Sequence, residues 1–154
     1  MIALYSGISL LSRAIRWRTW SCYSHCAWLD GDGSVFEAWH PHGVRHVANV
    51  NIGHTPGTVI DVFDVELTDD QKDGLRAWLT SQLGKPYDLN AILGFIWRRK
   101  LEDDSAWVCS ELIYQGFREV GIDLLASDVP AWKVSPGVLA MGPFLTKTGT
   151  LVTR

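Results

Sequence analysis

Cys109 is the residue of this chain best placed to do chemistry. It lies in Trp107-Val108-Cys109-Ser110-Glu111-Leu112-Ile113, at the start of a helix predicted over 109–120 and ended by Gly121. Leu112, Ile113, Gly116, Phe117 and Val120 follow it at 3, 4, 7, 8 and 11 positions. Those offsets trace one helical face, and Cys109 shares it. An inward thiol beside a helix N-terminus feels its partial positive charge, which favours the nucleophilic thiolate. The same placement also suits an inert core cysteine. A nucleophile further needs a base, and the base needs an orienting group.

Five histidines are available: His25, His40, His42, His46 and His54. His25 falls within a predicted strand, on a face with Tyr23, Ala27 and Leu29. The others lie in or beside turns, where exposed histidines are ordinary. A satisfied core histidine fits His25 as well as a base does. Glu37 lies in the next predicted strand, between Val35 and Trp39. Side-chain direction alternates with period two, so loop length decides whether the two meet. A three-residue loop at 30–32 sets His25 opposite Glu37. A loop at 31–33 keeps both on one face, two positions apart. Loops of two or four residues separate them. A solvated, outward Glu37 fits the bare sequence equally.

Two other patterns lead nowhere. Asp30-x-Asp32-x-Ser34 opens like a calcium-binding EF-hand loop, but its twelfth position is Pro41 rather than Glu. Cys22, His25, Cys26, His40, His42 and His46 suggest zinc, yet Cys22 and Cys26 fall on the strand face opposite His25, and no Cys-x₂-Cys pair exists. No metal and no cofactor is expected, and Cys22 and Cys26 are expected to be bystanders.

The elements that must position these residues follow from periodicity. Ile8, Leu11, Ala14 and Ile15 mark a short amphipathic helix over 7–17, with Arg13 and Arg16 on its polar side. Strands are predicted at 22–29, 34–39, 44–50 and 59–66, with Asp30-Gly31-Asp32-Gly33 turning the first pair. Thr68-Asp69-Asp70-Gln71 is a capping box that starts a helix. Leu75, Trp78, Leu79 and Leu83 form its inner stripe, and Gly84 suits its C′ position. Gly84–Tyr87 is a turn, and Asp88 caps a helix bearing Leu89, Ile92, Leu93 and Ile96. A loop at 98–104 and a short strand at Trp107-Val108 precede the helix of Cys109. The tail carries Pro130, Pro136 and Pro143 and is expected to wrap the body with little regular structure. Clustered strands followed by clustered helices argue α+β with an antiparallel sheet.

The chain of 154 residues suits one domain over 1–154. Apolar residues make up 47%, charged residues 20%, and the net charge is −3. This describes a compact globule and excludes a strongly basic nucleic-acid binder. Three cysteines exclude a fully paired disulfide framework and fit a reducing compartment. No apolar run approaches the roughly 18 residues of a membrane span. Arg13, Arg16 and Arg18 follow the first apolar stretch rather than precede it, unlike a secretory signal. A cytoplasmic location is therefore expected. Eight tryptophans suggest a rigid core or an aromatic-lined cleft.

Tyr23-Ser24-His25, Val35-Phe36-Glu37-Ala38 and Gly43-Val44 resemble the histidine half of the permuted NlpC/P60 proteins. These are the circularly permuted, papain-like cysteine hydrolases that include YiiX-like chains. Gly84-Lys85-Pro86-Tyr87-Asp88 and Trp107–Leu112 resemble their cysteine half, and Ser135-Pro136 with Leu139 the closing segment. His25 precedes Cys109, the order that marks the permuted group. The resemblance spans about 6–140 and implies a papain-like sheet packed on helices. It implies Cys109 as nucleophile, His25 as base and Glu37 as the third residue. Cys26 departs from the small aliphatic residue usual after the histidine. No wall-binding module or signal peptide is seen, which leaves a phage-encoded or intracellular role open.

The resulting expectation is a Cys-His-Glu hydrolase that cleaves an amide, such as one in a cell-wall stem peptide. The Cys109 backbone N–H would be an oxyanion donor, and Trp107, Tyr23 and Tyr87 would line the cleft, although plain packing also explains these aromatics. An acyl-lipid hydrolase or transferase on the same site is the first alternative, and a non-catalytic binding or virion-structural domain the second. An apolar cleft argues for lipid, a polar groove for peptide.

Overall fold

The computed structural model describes residues 1–88, 106–125 and 128–154. The predicted helix after Asp88 and the loop at 98–104 lie outside the described residues. Six strands form one antiparallel sheet: β1 (Ile2–Ser6), β2 (His25–Leu29), β3 (Val35–Trp39), β4 (Gly43–Val47), β5 (Val59–Asp64) and β6 (Thr146–Val152). Their order is β4-β3-β2-β1-β5-β6. Among the described residues the helices are α1 (Leu10–Thr19), α2 (Asp69–Ser81), α3 (Cys109–Glu119) and the one-turn α4 (Pro136–Leu139), with a 3₁₀ turn at Ala131–Lys133. The expected α+β architecture is present.

Two strands were not expected. Ile2, Ala3, Leu4 and Tyr5 of β1 are all buried, between β2 and β5. A strand covered on both faces loses its alternation, so its sequence reads only as an apolar run. The tail is more regular than its prolines suggest: β6 pairs with β5 along the sheet edge. The expected strands at 44–50 and 59–66 end earlier, at Val47 and Asp64.

Each face of the sheet has its own apolar layer. Ile2, Leu4, Cys26, Trp28, Phe36 and Ala38 pack with α2 and α3 through Leu75, Leu79, Cys109, Leu112, Ile113 and Phe117. Ala3, Tyr5, Ala27, Leu29, Val35, Ile60 and Val62 form the other layer, joined by Val50 of the β4–β5 loop. Burying one such side chain stabilises the fold by roughly 1.5–3 kcal/mol, so α3 is held firmly. Gly116 lets α2 approach α3: a Cβ there would lie 2.9 Å from Leu75 Cδ1 and 3.0 Å from Trp78.

Local signals hold at α2. Thr68 Oγ1 accepts from the Gln71 N–H at 3.2 Å, and Gln71 Oε1 accepts from the Thr68 N–H at 2.9 Å. Leu83, expected on the inner stripe, is instead exposed, because α2 ends at Ser81. Gly84, with φ +81°, belongs to the turn beyond it. That turn is fastened to β4 by Gly84 N–H to Val44 O at 2.9 Å and Val44 N–H to Lys85 O at 2.8 Å. The contact carries Tyr87 towards α3, where it bridges to Trp107.

Of the apolar positions expected on the amphipathic helix, Ile15 packs against the core. None of the α1 residues is fully buried, and Ile8 and Leu11 are about half exposed.

Candidate functional site

The β2–β3 register pairs Trp28 with Phe36 and Leu29 with Val35. Asp30 N–H donates to Ser34 O at 2.9 Å, so the loop is 31–33, the second of the geometries that keep His25 and Glu37 together. They are diagonal neighbours on one face. His25 Nε2 lies 2.6 Å from Glu37 Oε2, and Glu37 is fully buried.

Glu37 has two further neighbours. Arg45 faces it across β4 and donates to Oε1 from Nε at 2.9 Å and from Nη2 at 2.6 Å. His54 Nε2 approaches Oε2 to 3.4 Å without hydrogen-bond alignment. The His54 ring stacks on Tyr5, with centroids 4.1 Å apart. Its side chain is 5% exposed, although it was expected to be a solvated turn residue. Arg45 lies over Trp39, and the Trp39 ring meets His25 edge-on at 5.1 Å. Arg45 had a signal in the sequence, since it occupies an alternate position one strand beyond Glu37. His54 had none, because a long loop carries it.

Cys109 is the first residue of α3, and its N-cap Val108 makes no side-chain cap. The first-turn N–H groups are therefore not capped by a side chain. The Cys109 sulfur has two partners. A hydrogen bond with the Cys26 thiol is the stronger influence; burial opposes it, and the charge and hydrogen bond of His25 add to it, holding Cys109 well below the ordinary thiol range. Burial opposes protonation of His25, but the Cys109 charge and bonds to Cys109 and Glu37 outweigh it and raise its pKa to about 9. Burial pushes the Glu37 carboxyl up, but interactions with His25 and His54 hold it well below the usual range. Burial lowers His54 against the pull of Glu37. The two shifts run in the directions that favour a charged Cys109–His25 pair, and the buried Glu37 carboxylate lies against His25 Nε2.

Cys26, expected to be a bystander, lies close to Cys109. It does point away from His25, as alternation requires, but α3 packs on that side of the sheet, so Cys26 and Cys109 share one buried cluster. Burial, then the interaction with Cys109, pushes the Cys26 thiol up. Cys22 is exposed.

A cleft opens beside Cys109. Its walls are almost wholly apolar, from Leu11, Ala14, Ile15, Arg18 and Thr19 of α1, Ser24, Tyr87, Val108, Ser110, Ser135 and Pro136. Of the three expected lining aromatics, Tyr87 stands in the wall. Tyr23 packs in the core on the Cys26 side and donates to Asp61 Oδ2 at 2.6 Å. Trp107 packs edge-on against Trp78 and donates to Gln82 Oε1 at 3.2 Å.

His25, Glu37 and His54 form the metal-donor cluster found among the described residues, their donor atoms all within 4.8 Å of one another. Two histidines and a carboxylate are a set that zinc accepts. The spacing fits a hydrogen bond better. Two ligands of one tetrahedral zinc lie about 3.3 Å apart, given bonds of about 2.0–2.1 Å. His25 Nε2 and Glu37 Oε2 are 2.6 Å apart. The Arg45 guanidinium also already neutralises this carboxylate. As placed, the residues do not fit a metal centre.

No family model and no curated protein matches the chain. Among solved structures, the metalloprotein YiiX from Escherichia coli O157:H7 is similar, with a TM-score of 0.66 and 22% identity. The match covers 96% of this chain and 94% of that one. The likeness establishes a YiiX-like fold.

Proposed function

We propose that the chain is a papain-like cysteine hydrolase acting on acyl groups. The observation that carries the reading is the buried pair in which His25 Nε2 lies 2.6 Å from Glu37 Oε2, with a helix-start thiol, Cys109, whose pKa His25 helps to lower. The Cys109 thiolate adds to a carbonyl carbon. The developing oxyanion takes donors from the first turn of α3, where fixed N–H groups stabilise it most. His25 imidazolium gives its proton to the leaving group, and an acyl-thioester remains on Cys109. Water, losing a proton to His25, attacks the thioester and regenerates the thiolate. Glu37, anchored by Arg45, keeps the ring in the productive orientation.

Both substrate classes use this chemistry, and the character of the cleft wall supports one of them. Its apolar lining favours an acyl chain over a polar stem peptide. The metal named for YiiX belongs to that protein; no step here runs through one.

The test is hydrolysis of p-nitrophenyl esters of increasing chain length beside a cell-wall stem peptide. Ester turnover is expected to rise with chain length, to vanish in Cys109→Ala and to survive dialysis against a chelator. Peptide cleavage without esterase activity would return the amide reading. Activity that is lost on chelation and restored by zinc would replace the thiol mechanism.

A further inference from the structure

The helix α1 presents its apolar residues outward. At 100° per residue, Leu10, Ala14 and Trp17 share one side with Leu11, flanked by Arg13 and Arg18. The opposite side carries Ser12, Ile15, Arg16 and Thr19, and it is the side that packs inward: Ile15 rests against the core, and Arg16 Nη1 donates to Gly7 O. Leu10 is 83% exposed, Trp17 76% and Trp20 91%. Trp20 closes the helix with φ 51°, a left-handed position where glycine is usual. A bulky residue is strained there, and Trp20 recovers nothing by burial.

Charge says what this face fits. The first 29 residues hold no Asp or Glu and three arginines, of which Arg13 and Arg18 flank the outer face and Arg16 lies on the other side. The remainder holds 14 − 3 = 11 basic and 17 acidic residues. The patch is thus cationic on an acidic chain. An isologous contact with a second copy would set arginines against arginines. Exposed tryptophan and leucine rimmed by arginine is the composition of a helix lying in a lipid headgroup layer. Leu11 and Ala14 of α1 also line the cleft that ends at Cys109. We propose that the outer face of α1, with Trp20, docks on an anionic phospholipid surface and brings the mouth of the Cys109 cleft to the acyl chains. The purpose of docking rests on the acyl reading above; the docking itself is measured without turnover.

The experiment is co-sedimentation of the Cys109→Ala chain with phosphatidylcholine vesicles, with and without phosphatidylglycerol. Binding is expected only with phosphatidylglycerol and should weaken at high salt. Trp17→Ser/Trp20→Ser should weaken it roughly ten-fold or more, and Arg13→Gln should weaken it measurably. Equal binding by the parent and the double variant overturns the proposal. So does equal binding to both vesicle types, or a dimer of the parent chain that the double variant abolishes. A short soluble ester, assayed with Cys109 intact, separates this from the catalytic reading. The double variant should hydrolyse it like wild type while losing turnover of vesicle-borne lipid. An ester left uncleaved by wild type would sink the hydrolase and leave vesicle binding standing.

Discussion

At the residue scale, the proposed reactivity of Cys109 rests on two neighbours of different kinds. His25 supplies a positive charge, and Cys26 supplies an S–H donor. Both favour the thiolate, and each has its own signature. The pH dependence of Cys109 alkylation should show wild type reacting quickly at pH 6. His25→Ala should need a higher pH, because the charge is gone. Cys26→Ala should shift the curve the same way, and Cys26→Ser should restore most of the shift, because a hydroxyl still donates. Superimposable curves for wild type and Cys26→Ala would make Cys26 mere packing. Superimposable curves for wild type and His25→Ala would remove the base. The partners differ in how visible they were. His25 and Glu37 were legible as a pair because period-two alternation and a three-residue loop tie them together. The part played by Cys26 was not, since a strand's own alternation does not say which face a helix will cover. Arg45 could be read one strand beyond Glu37 by the same alternation, whereas His54 depends on a loop placement that no local pattern encodes.

At the element scale, the site is assembled from ends. His25 begins β2, Cys109 begins α3, and Tyr87 follows the turn pinned to the start of β4. The α3 face was readable because five apolar positions repeat at helical spacing and all pack inward. The hairpin was readable from its turn. β1 was hidden by burial on both faces. The exposed Leu10 and Trp17 of α1 were not legible, because periodicity gives a face and not its direction. Gly43 is the pivot of the Tyr87 wall. Its φ is +76°, and a Cβ there would collide with the carbonyl oxygen of Lys85. Gly43→Ala should therefore destabilise the fold by about 1–3 kcal/mol through backbone strain alone, with the close approach adding to it. A lowered urea midpoint with unchanged slope would check this. Displacement of the 84–87 turn should also slow ester hydrolysis in the fraction that remains folded. A midpoint equal to wild type would mean that β4 and the turn are not held together as described.

At the scale of the whole molecule, the proposed thiolate–imidazolium pair predicts a trace in stability that needs no substrate. The folded pKa of His25 is raised, so its contribution is full below the unfolded value of 6.5 and is lost as pH rises through about 9. The folded pKa of Cys109 is depressed, so its contribution is full above the ordinary thiol value of 9.0 and is lost as pH falls. Between 6.5 and about 9 the two slopes oppose. The folded pair holds one proton, on the imidazole, and the unfolded pair also holds one, on the thiol. Stability follows the difference in bound protons, so the contribution of the pair is flat across this window. Below 6.5 the unfolded pair binds a second proton, and the contribution declines with acid. The Met1 amine, lowered to about 6 by burial against the pull of Asp64, titrates nearby. Comparing wild type with Cys109→Ala/His25→Ala cancels it. The stability difference between the two proteins, from urea unfolding at pH 5.5 to 9, should be level above about 6.5 and shrink below it. A difference that falls steadily from 6.5 to 9 would mean a neutral thiol beside a charged histidine, since only the His25 proton would then be released. Such a result would leave the fold intact and take away the preformed nucleophile on which the hydrolase reading depends.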